Sequence, residues 1–332
     1  MAAIDIGVDC EAGAITAVRI RARTPNPAPM LVGLAPTAVS GVLGRLYAIC
    51  GAAQRACAEL ALSAATGYPL APGRNARLAT SVAAEAAQEH LWRLWLDWPK
   101  ALGLPPRDAA FTRWYGAIRA EARDWPALLG AAVNDDWLGM PTDRLAAFAG
   151  LDAFDRWLEA DPAPAARLFH ALRAEPAAAA RVAPVPAGTL DSPLGATSAH
   201  QWIAALEDAG RSLEALLAAR VVALATLLGA LATDPPSLVD LAATCPGRGR
   251  GLGSVSTARG WLEHDVTITA GVVSDYAIRT PTERHFAAGG PLETQLLGRP
   301  AADRGAAVRA AGLWALAFDP CVSYAVGGAG HA

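Results

Sequence analysis

Residues 251–298 read GLGSVSTARGWLEHDVTITAGVVSDYAIRTPTERHFAAGGPLETQLLG, and the fold is decided there. Glycines fall at every second position leading into the stretch, Gly247, Gly249, Gly251 and Gly253, which we read as a glycine-rich loop. It lacks the Gly-Lys-Ser/Thr ending of a phosphate loop and leads into strand-like residues, not a helix. Residues 261–268 and 272–279 then alternate apolar and polar, and Ala270-Gly271 lies between them. That pattern predicts a β-hairpin. Helices are expected around 291–297 and 301–315.

Outward from this segment the chain is helical. A first hairpin is expected at the front: Ile4, Ile6 and Val8 alternate, Glu11-Ala12-Gly13 turns, and 15–20 returns. A loop over Pro25, Pro27 and Pro29 leads into a helix from about 37 to 63. A second long helix runs from near Thr80 to Pro99 and carries Leu91, Leu94, Trp95 and Trp98. Short helices cut by Pro and Gly fill 105–173, anchored by Trp114, Trp125, Trp137 and Trp157. Residues 174–195 are Pro/Ala-rich and read as a loop. A third long helix is expected over 198–233. The fold class is mainly α (α+β): a helical-bundle core with small β-hairpins, in a single domain over 1–332.

Composition narrows the function. The 332 residues are 53% hydrophobic with a formal net charge of −3, which suits a sizeable core and leaves no positive excess for phosphate. A nucleic-acid role is therefore not expected. The apolar run 221–232 is shorter than the ~18 residues a membrane span needs, and no basic cluster marks the front as a leader. The expected location is cytoplasmic, with no membrane. Cys10, Cys50, Cys57, Cys245 and Cys321 are odd in number and irregularly spaced, so no disulfide framework is expected. Cys50 and Cys57, two helical turns apart, read in isolation as small core residues. The histidines are dispersed, with no zinc spacing. No nucleophile elbow marks a serine hydrolase.

Taken together and in order, the motifs say more than each does alone. Gly251, Gly253, Arg259, Gly260, Leu262, His264, Gly271, Tyr276, Pro281, Thr282, Gly290, Pro291, Glu293 and Leu296 resemble a pattern in the large subunit of nickel–iron hydrogenases. That pattern is G-x-G-x-x-E-A-P-R-G-x-L-x-H, a hairpin, P-T-T-W-N and G-P-x-E-x-x-L. Asp319-Pro320-Cys321 resembles its closing D-P-C-x-x-C-x-x-H. At the front, Gly33 and the run Arg45 to Cys50 resemble its G-R-x-P…R-I-C-G-V-C segment. A register with Cys50 as the second cysteine of the pair aligns Arg45, Leu46 and Ile49 with the family residues. The alternative makes Cys50 the first and sets Cys57 at the family His. The middle, about 65–240, is matched only in being helical.

By this resemblance four thiolates in two C-x-x-C pairs should hold the metals, and here half are replaced. The first pair has become Tyr47-x-x-Cys50, with Gln54 for the following His; the second is Cys321-x-x-Tyr324, with Gly327 for the His. The Glu and Pro before Arg259 are Ser256 and Ala258. Stable nickel, which needs the full set of soft ligands, is not expected. What the resemblance keeps is the iron half: Cys50 and Cys321 as metal ligands, and Arg259, Pro281 and Thr282 around the iron's cyanides. In the family the second cysteine of a pair bridges both metals and the first binds nickel alone, so Cys50 is of the bridging type and Cys321 of the nickel-terminal type.

Degenerate thiolate pairs with a retained Arg and Pro-Thr, and the stretch EHLWRLWLDWPKALGLPP at 89–106, resemble the HupK/HoxV family of hydrogenase accessory proteins. The resemblance implies a non-enzymatic maturation protein. It would be a scaffold that transiently holds iron with carbon monoxide and cyanide ligands and passes it to the hydrogenase large subunit. The implied partners are the large-subunit precursor and the iron-cofactor maturation factors. Two alternatives stand beside this: a metal-free protein–protein chaperone for the apo large subunit, and an active hydrogenase-like enzyme.

Overall fold

A computed structural model describes residues 3–24, 26–122, 124–160, 163–179, 200–232 and 240–328. Two small sheets flank a helical body. β1 (Ala3–Glu11) and β2 (Ala14–Arg23) form the expected front hairpin. A third strand, β7 (Ser323–Gly328), was not expected: it runs parallel to β1, Ala3 opposite Ser323 through Val8 opposite Gly328, giving the order β2-β1-β7. The inward residues Ile4, Ile6 and Val8 are buried in the main core. This strand ties the segment just after Cys321 to the front of the chain.

The second sheet has the order β3-β4-β5-β6, all antiparallel, from β3 (Leu241–Gly247), β4 (Arg250–Thr257), β5 (Gly260–Thr269) and β6 (Val272–Arg279). The β5–β6 hairpin is as expected. The glycine-rich loop is not a loop: Gly251 and Gly253 lie on β4, on the face against the helix Gly51–Thr66. A Cβ on Gly251 would fall 2.0 Å from the Ala61 carbonyl oxygen, and one on Gly253 would fall 2.3 Å from that of Cys57. Glycine here lets a strand lie directly on a helix backbone.

The helix expected over 37–63 is two helices, Pro36–Leu46 and Gly51–Thr66. Between them Tyr47 is extended, and Gly51 packs so close to Gly44 that a Cβ would sit 2.8 Å from its carbonyl oxygen. The expected proline loop holds a helical turn, Ala28–Leu31, followed by a link to β6 through Gly33 N to Val273 O at 2.8 Å. The second long helix starts earlier than expected, at Arg74, and runs to Trp92; a π-helical turn, Arg93–Asp97, and a short helix, Trp98–Ala101, complete it. Trp114, Trp125, Trp137 and Trp157 are buried, as read.

The third long helix is broken at Gly210, whose φ is +70°, into Gln201–Asp208 and Ser212–Ala232. The latter is long and apolar enough to cross a membrane, because it extends the apolar run backward through Glu214 and Arg220. Both charged residues are buried, and 67% of the helix's most apolar window is buried within the protein. It is a core helix, packed against Arg74–Trp92 and Trp125–Ala132. Pro176–Ala179 form a helical turn; the rest of the expected Pro/Ala-rich loop, 180–195, lies outside the described residues.

Candidate metal centre

Four chain segments converge between the two sheets: Cys50, Arg259, Pro281-Thr282, and 319–321. Each is held by local chemistry. Cys50 is the N-cap of Gly51–Thr66, and the buried end of that helix is capped from outside, since Glu85 accepts from Ala52 N at 2.7 Å and Ala53 N at 3.0 Å. Arg259 sits in the β4–β5 turn, where Thr257 Oγ1 donates to Gly260 O at 2.7 Å and accepts from Arg259 N at 3.2 Å. Thr280 and Glu283 form a capping box that starts the helix Pro281–His285 with proline at its first position. Asp319 ends the helix Arg304–Phe318 with φ at +53°, a left-handed turn that aims the next two residues back toward Cys50.

The two cysteines meet. Each thiol is the largest influence on the ionisation of the other. Thr282 Oγ1 donates to the Cys321 sulfur at 3.3 Å and accepts from Cys321 N at 3.2 Å. Cys321, then burial, push the Cys50 thiol well above its ordinary range. Cys50 lowers Cys321 to about 6; burial opposes this, and Arg259 and Thr282 reinforce it. The pair therefore behaves as one thiol and one thiolate.

Arg259 is buried and fixed: Nε donates to Asp319 O at 2.7 Å, and Nη2 reaches Glu89 and, at 3.3 Å, Asp319 Oδ1. Nη1 has no acceptor among the described residues. Asp319 is also paired with Arg93 and, at 3.0 Å, with Arg220, whose Nη1 also lies 3.3 Å from His90 Nδ1. Burial would raise the Asp319 carboxyl, but Arg259, Arg93 and Arg220 outweigh it and hold it well below the usual carboxylate range. Arg93 also pairs with Asp97 across the π-helical turn. Glu89 is raised by burial and pulled back by Arg259.

The sites read from sequence are thus brought together, with Pro281 buried at the head of the same short helix as Thr282. Tyr47 faces the cysteines; burial, then Cys50, Cys321 and Glu283, push its phenol far up. Burial first pushes Tyr324, on β7, up to about 12. Gln54 Oε1 accepts from His264 Nε2 at 2.9 Å, and Tyr276 OH lies 2.8 Å from His264 Nδ1. Burial lowers His264 to about 3, so it ties sheet to helix as a neutral ring. Cys57 is buried beside it, its thiol donating to Gly253 O at 3.1 Å, and takes no part in the cluster. Sequence reasoning missed Glu85, Glu89, Arg93 and Arg220. The Thr-Pro-x-Glu of the capping box was a visible helix-start signal; the others carry no local signature. Among the described residues, no group of three or more His, Cys, Asp or Glu stands as a metal cluster.

The fold is that of nickel–iron hydrogenase large subunits. The chain superposes on the nickel–iron–selenium hydrogenase of Desulfovibrio vulgaris Hildenborough with a TM-score of 0.58 at 15% identity, covering 95% of each chain. It superposes on that of Desulfomicrobium baculatum at 0.57, 14% identity and 95% of each. No protein-family model matches the chain. It is 32% identical to the hydrogenase expression/formation protein HupK of Azotobacter vinelandii over 97% of both chains, and 31% to HupK of Rhodobacter capsulatus over 93% of this chain and 92% of that one. HoxV of Cupriavidus necator is 28% identical over 90% of this chain and 89% of its own. The chain belongs to the HupK/HoxV family of hydrogenase expression/formation proteins.

Proposed function

We propose that this protein serves hydrogenase maturation as a scaffold, holding an iron that carries carbon monoxide and two cyanides between Cys50 and Cys321 until it passes to the hydrogenase large subunit. The observation that carries this reading is the coupled Cys50–Cys321 pair, with Thr282 bonded to Cys321 and the fixed Arg259 guanidinium beside them. An iron that arrives with three diatomic ligands needs only a few protein donors. Loading it on two sulfurs displaces the one proton the pair shares. Arg259 Nη1 is the donor left for a cyanide nitrogen, an acceptor with partial negative charge. The partners under this reading are the large-subunit precursor and the iron-delivering maturation factors.

The protein is read as a non-enzyme. Tyr47 and Tyr324 stand where the family resemblance sets thiolates, and both phenols are held protonated by burial, so neither supplies the soft anion that nickel requires. A metal-free chaperone is the second reading, favoured by the lack of a third ligating residue beside the cysteines among the described residues. Infrared spectroscopy of protein purified without air, from cells containing the maturation machinery, separates the two. Carbon monoxide and cyanide stretches that vanish in Cys50→Ala are expected of the scaffold. Their absence at every stage of maturation gives the chaperone.

A further inference from the structure

A cavity of about 280 Å³ borders the π-helical turn Arg93–Asp97 at Leu94. Its walls are Leu94, Leu104, Trp137, Leu168 and four prolines, and its charged groups are Arg107 and Arg167, with no acidic residue among the lining. Prolines lack N–H donors, so they keep these walls apolar as well as stiff. Arg107 is fixed in place: its guanidinium lies over the Trp95 ring at 5.1 Å, and its own N–H donates to Trp95 O at 2.9 Å. Its Nη1 reaches only a backbone oxygen, Asp136 O, at 3.3 Å. Its Nε is buried with no hydrogen-bond partner. Burial lowers the Arg107 guanidinium and the Arg167 charge lowers it further, while Asp136 offsets part of this.

Two guanidinium groups line this one cavity and no carboxylate is among its walls, so an anion that enters meets positive charge from both. The apolar remainder of the wall selects a ligand whose anionic group sits on a short apolar body, and the volume admits one such group. A planar carboxylate matches the guanidinium fork. We infer that this cavity is a binding site for a carboxylate on a short apolar body, either a free small acid or the C-terminal residue of a polypeptide. The site is separate from the cysteine pair and does not depend on its function.

Calorimetric titration of the purified full-length protein tests this with four probes: isocaproate, N-acetyl-leucine, and the neutral amide of each. The carboxylates should saturate and bind about 10- to 100-fold more tightly than their amides, the range of a charge-assisted hydrogen bond. Arg107→Met should remove that preference. Arg167 is exposed, so Arg167→Met leaves the fold intact and should still weaken the carboxylates selectively. Tighter N-acetyl-leucine assigns a polypeptide terminus, and tighter isocaproate a free acid; each supports the site. Amides that bind as well as acids, no saturation by either acid, or unchanged binding in Arg167→Met with a normal melting curve would overturn it.

Discussion

Thr282 and Cys321, 39 residues apart, exchange two hydrogen bonds: the hydroxyl donates to the sulfur at 3.3 Å and accepts from the cysteine's backbone N–H at 3.2 Å. One side chain thus fixes both the position and the ionisation of Cys321. Replacing it by valine keeps the shape and removes both bonds. Thr282→Val should raise the Cys321 thiol from about 6, moving the pH midpoint of its alkylation upward. It should also cost about 1–3 kcal/mol for the buried N–H left without an acceptor. Mass-resolved iodoacetamide labelling against pH reads the first effect, and denaturant melts read the second. Cys57, buried and pushed far up by burial, should stay unlabelled until the protein unfolds.

Cys50 is the largest influence that lowers Cys321, so its removal should work in the same direction. In Cys50→Ala the largest cause that lowers Cys321 is gone, while Arg259 and Thr282 remain. Labelling of Cys321 at pH 7 should slow by several-fold, and more than in Thr282→Val. Equal labelling in wild type and Cys50→Ala would show that the thiols do not share a proton.

The β4 glycines give a stability test. Gly253→Ala would drive a Cβ against the backbone of Cys57 and Ala61, 2.3 and 2.7 Å away, which neither helix nor strand can yield cheaply. The loss should be about 3 kcal/mol, the upper end for overpacked sites. Gly130→Ala, in the helix Trp125–Ala132 with nothing within 4 Å, should instead stabilise by about 0.5–1 kcal/mol through helix propensity. Urea melts of the two variants should move in opposite directions.

These glycines also show what the sequence disclosed. Their spacing of two is a strand period, yet glycine's loop preference masked it, and only the close approach of Gly51–Thr66 explains why small residues line one face. The hairpins were legible because Ile4, Ile6 and Val8, and the residues of 261–268, alternate against a single apolar surface. The thiols, Arg259 and Thr282 were legible through motif order. Their supports were not. Glu89 meets Arg259 across 170 residues, and Arg93 meets Asp319 across 226; such pairs leave no periodicity. The break at Tyr47–Cys50 was hidden too, because alanines and leucines continue helically through it.

Glu207 predicts a pH dependence. One of its carboxyl oxygens is buried without a partner and the other accepts from Ser212 at 3.2 Å. Burial raises it from 4.5 to about 7. A carboxyl raised on folding contributes stability that is complete below its unfolded value and is lost as pH rises through the folded one. Glu207→Gln, always neutral, should therefore match wild type near pH 4.5 and exceed it at pH 8 by about 1–2 kcal/mol, allowing for the solvent that reaches the group. Melting temperatures of both proteins across that range check the sign.

Asp319 joins the cluster electrostatically, since its carboxylate is buried among Arg259, Arg93 and Arg220. Asparagine tolerates the left-handed backbone at this position, φ +53°, so Asp319→Asn changes the charge without straining the turn. Three buried guanidinium groups would then face Glu89, Asp97 and His90 without their shared counter-charge. The expected loss is about 3–5 kcal/mol, the cost of breaking a buried pair from one side. His90, lowered by burial and then by Arg220, gives no relief, because it is already neutral. Adding Arg220→Met removes one of the stranded charges and should recover part of the loss, so the double variant should be more stable than Asp319→Asn alone. A double variant that is less stable, with losses that simply add, would mean that packing at Asp319, and not its charge, holds Arg259 over the cysteines.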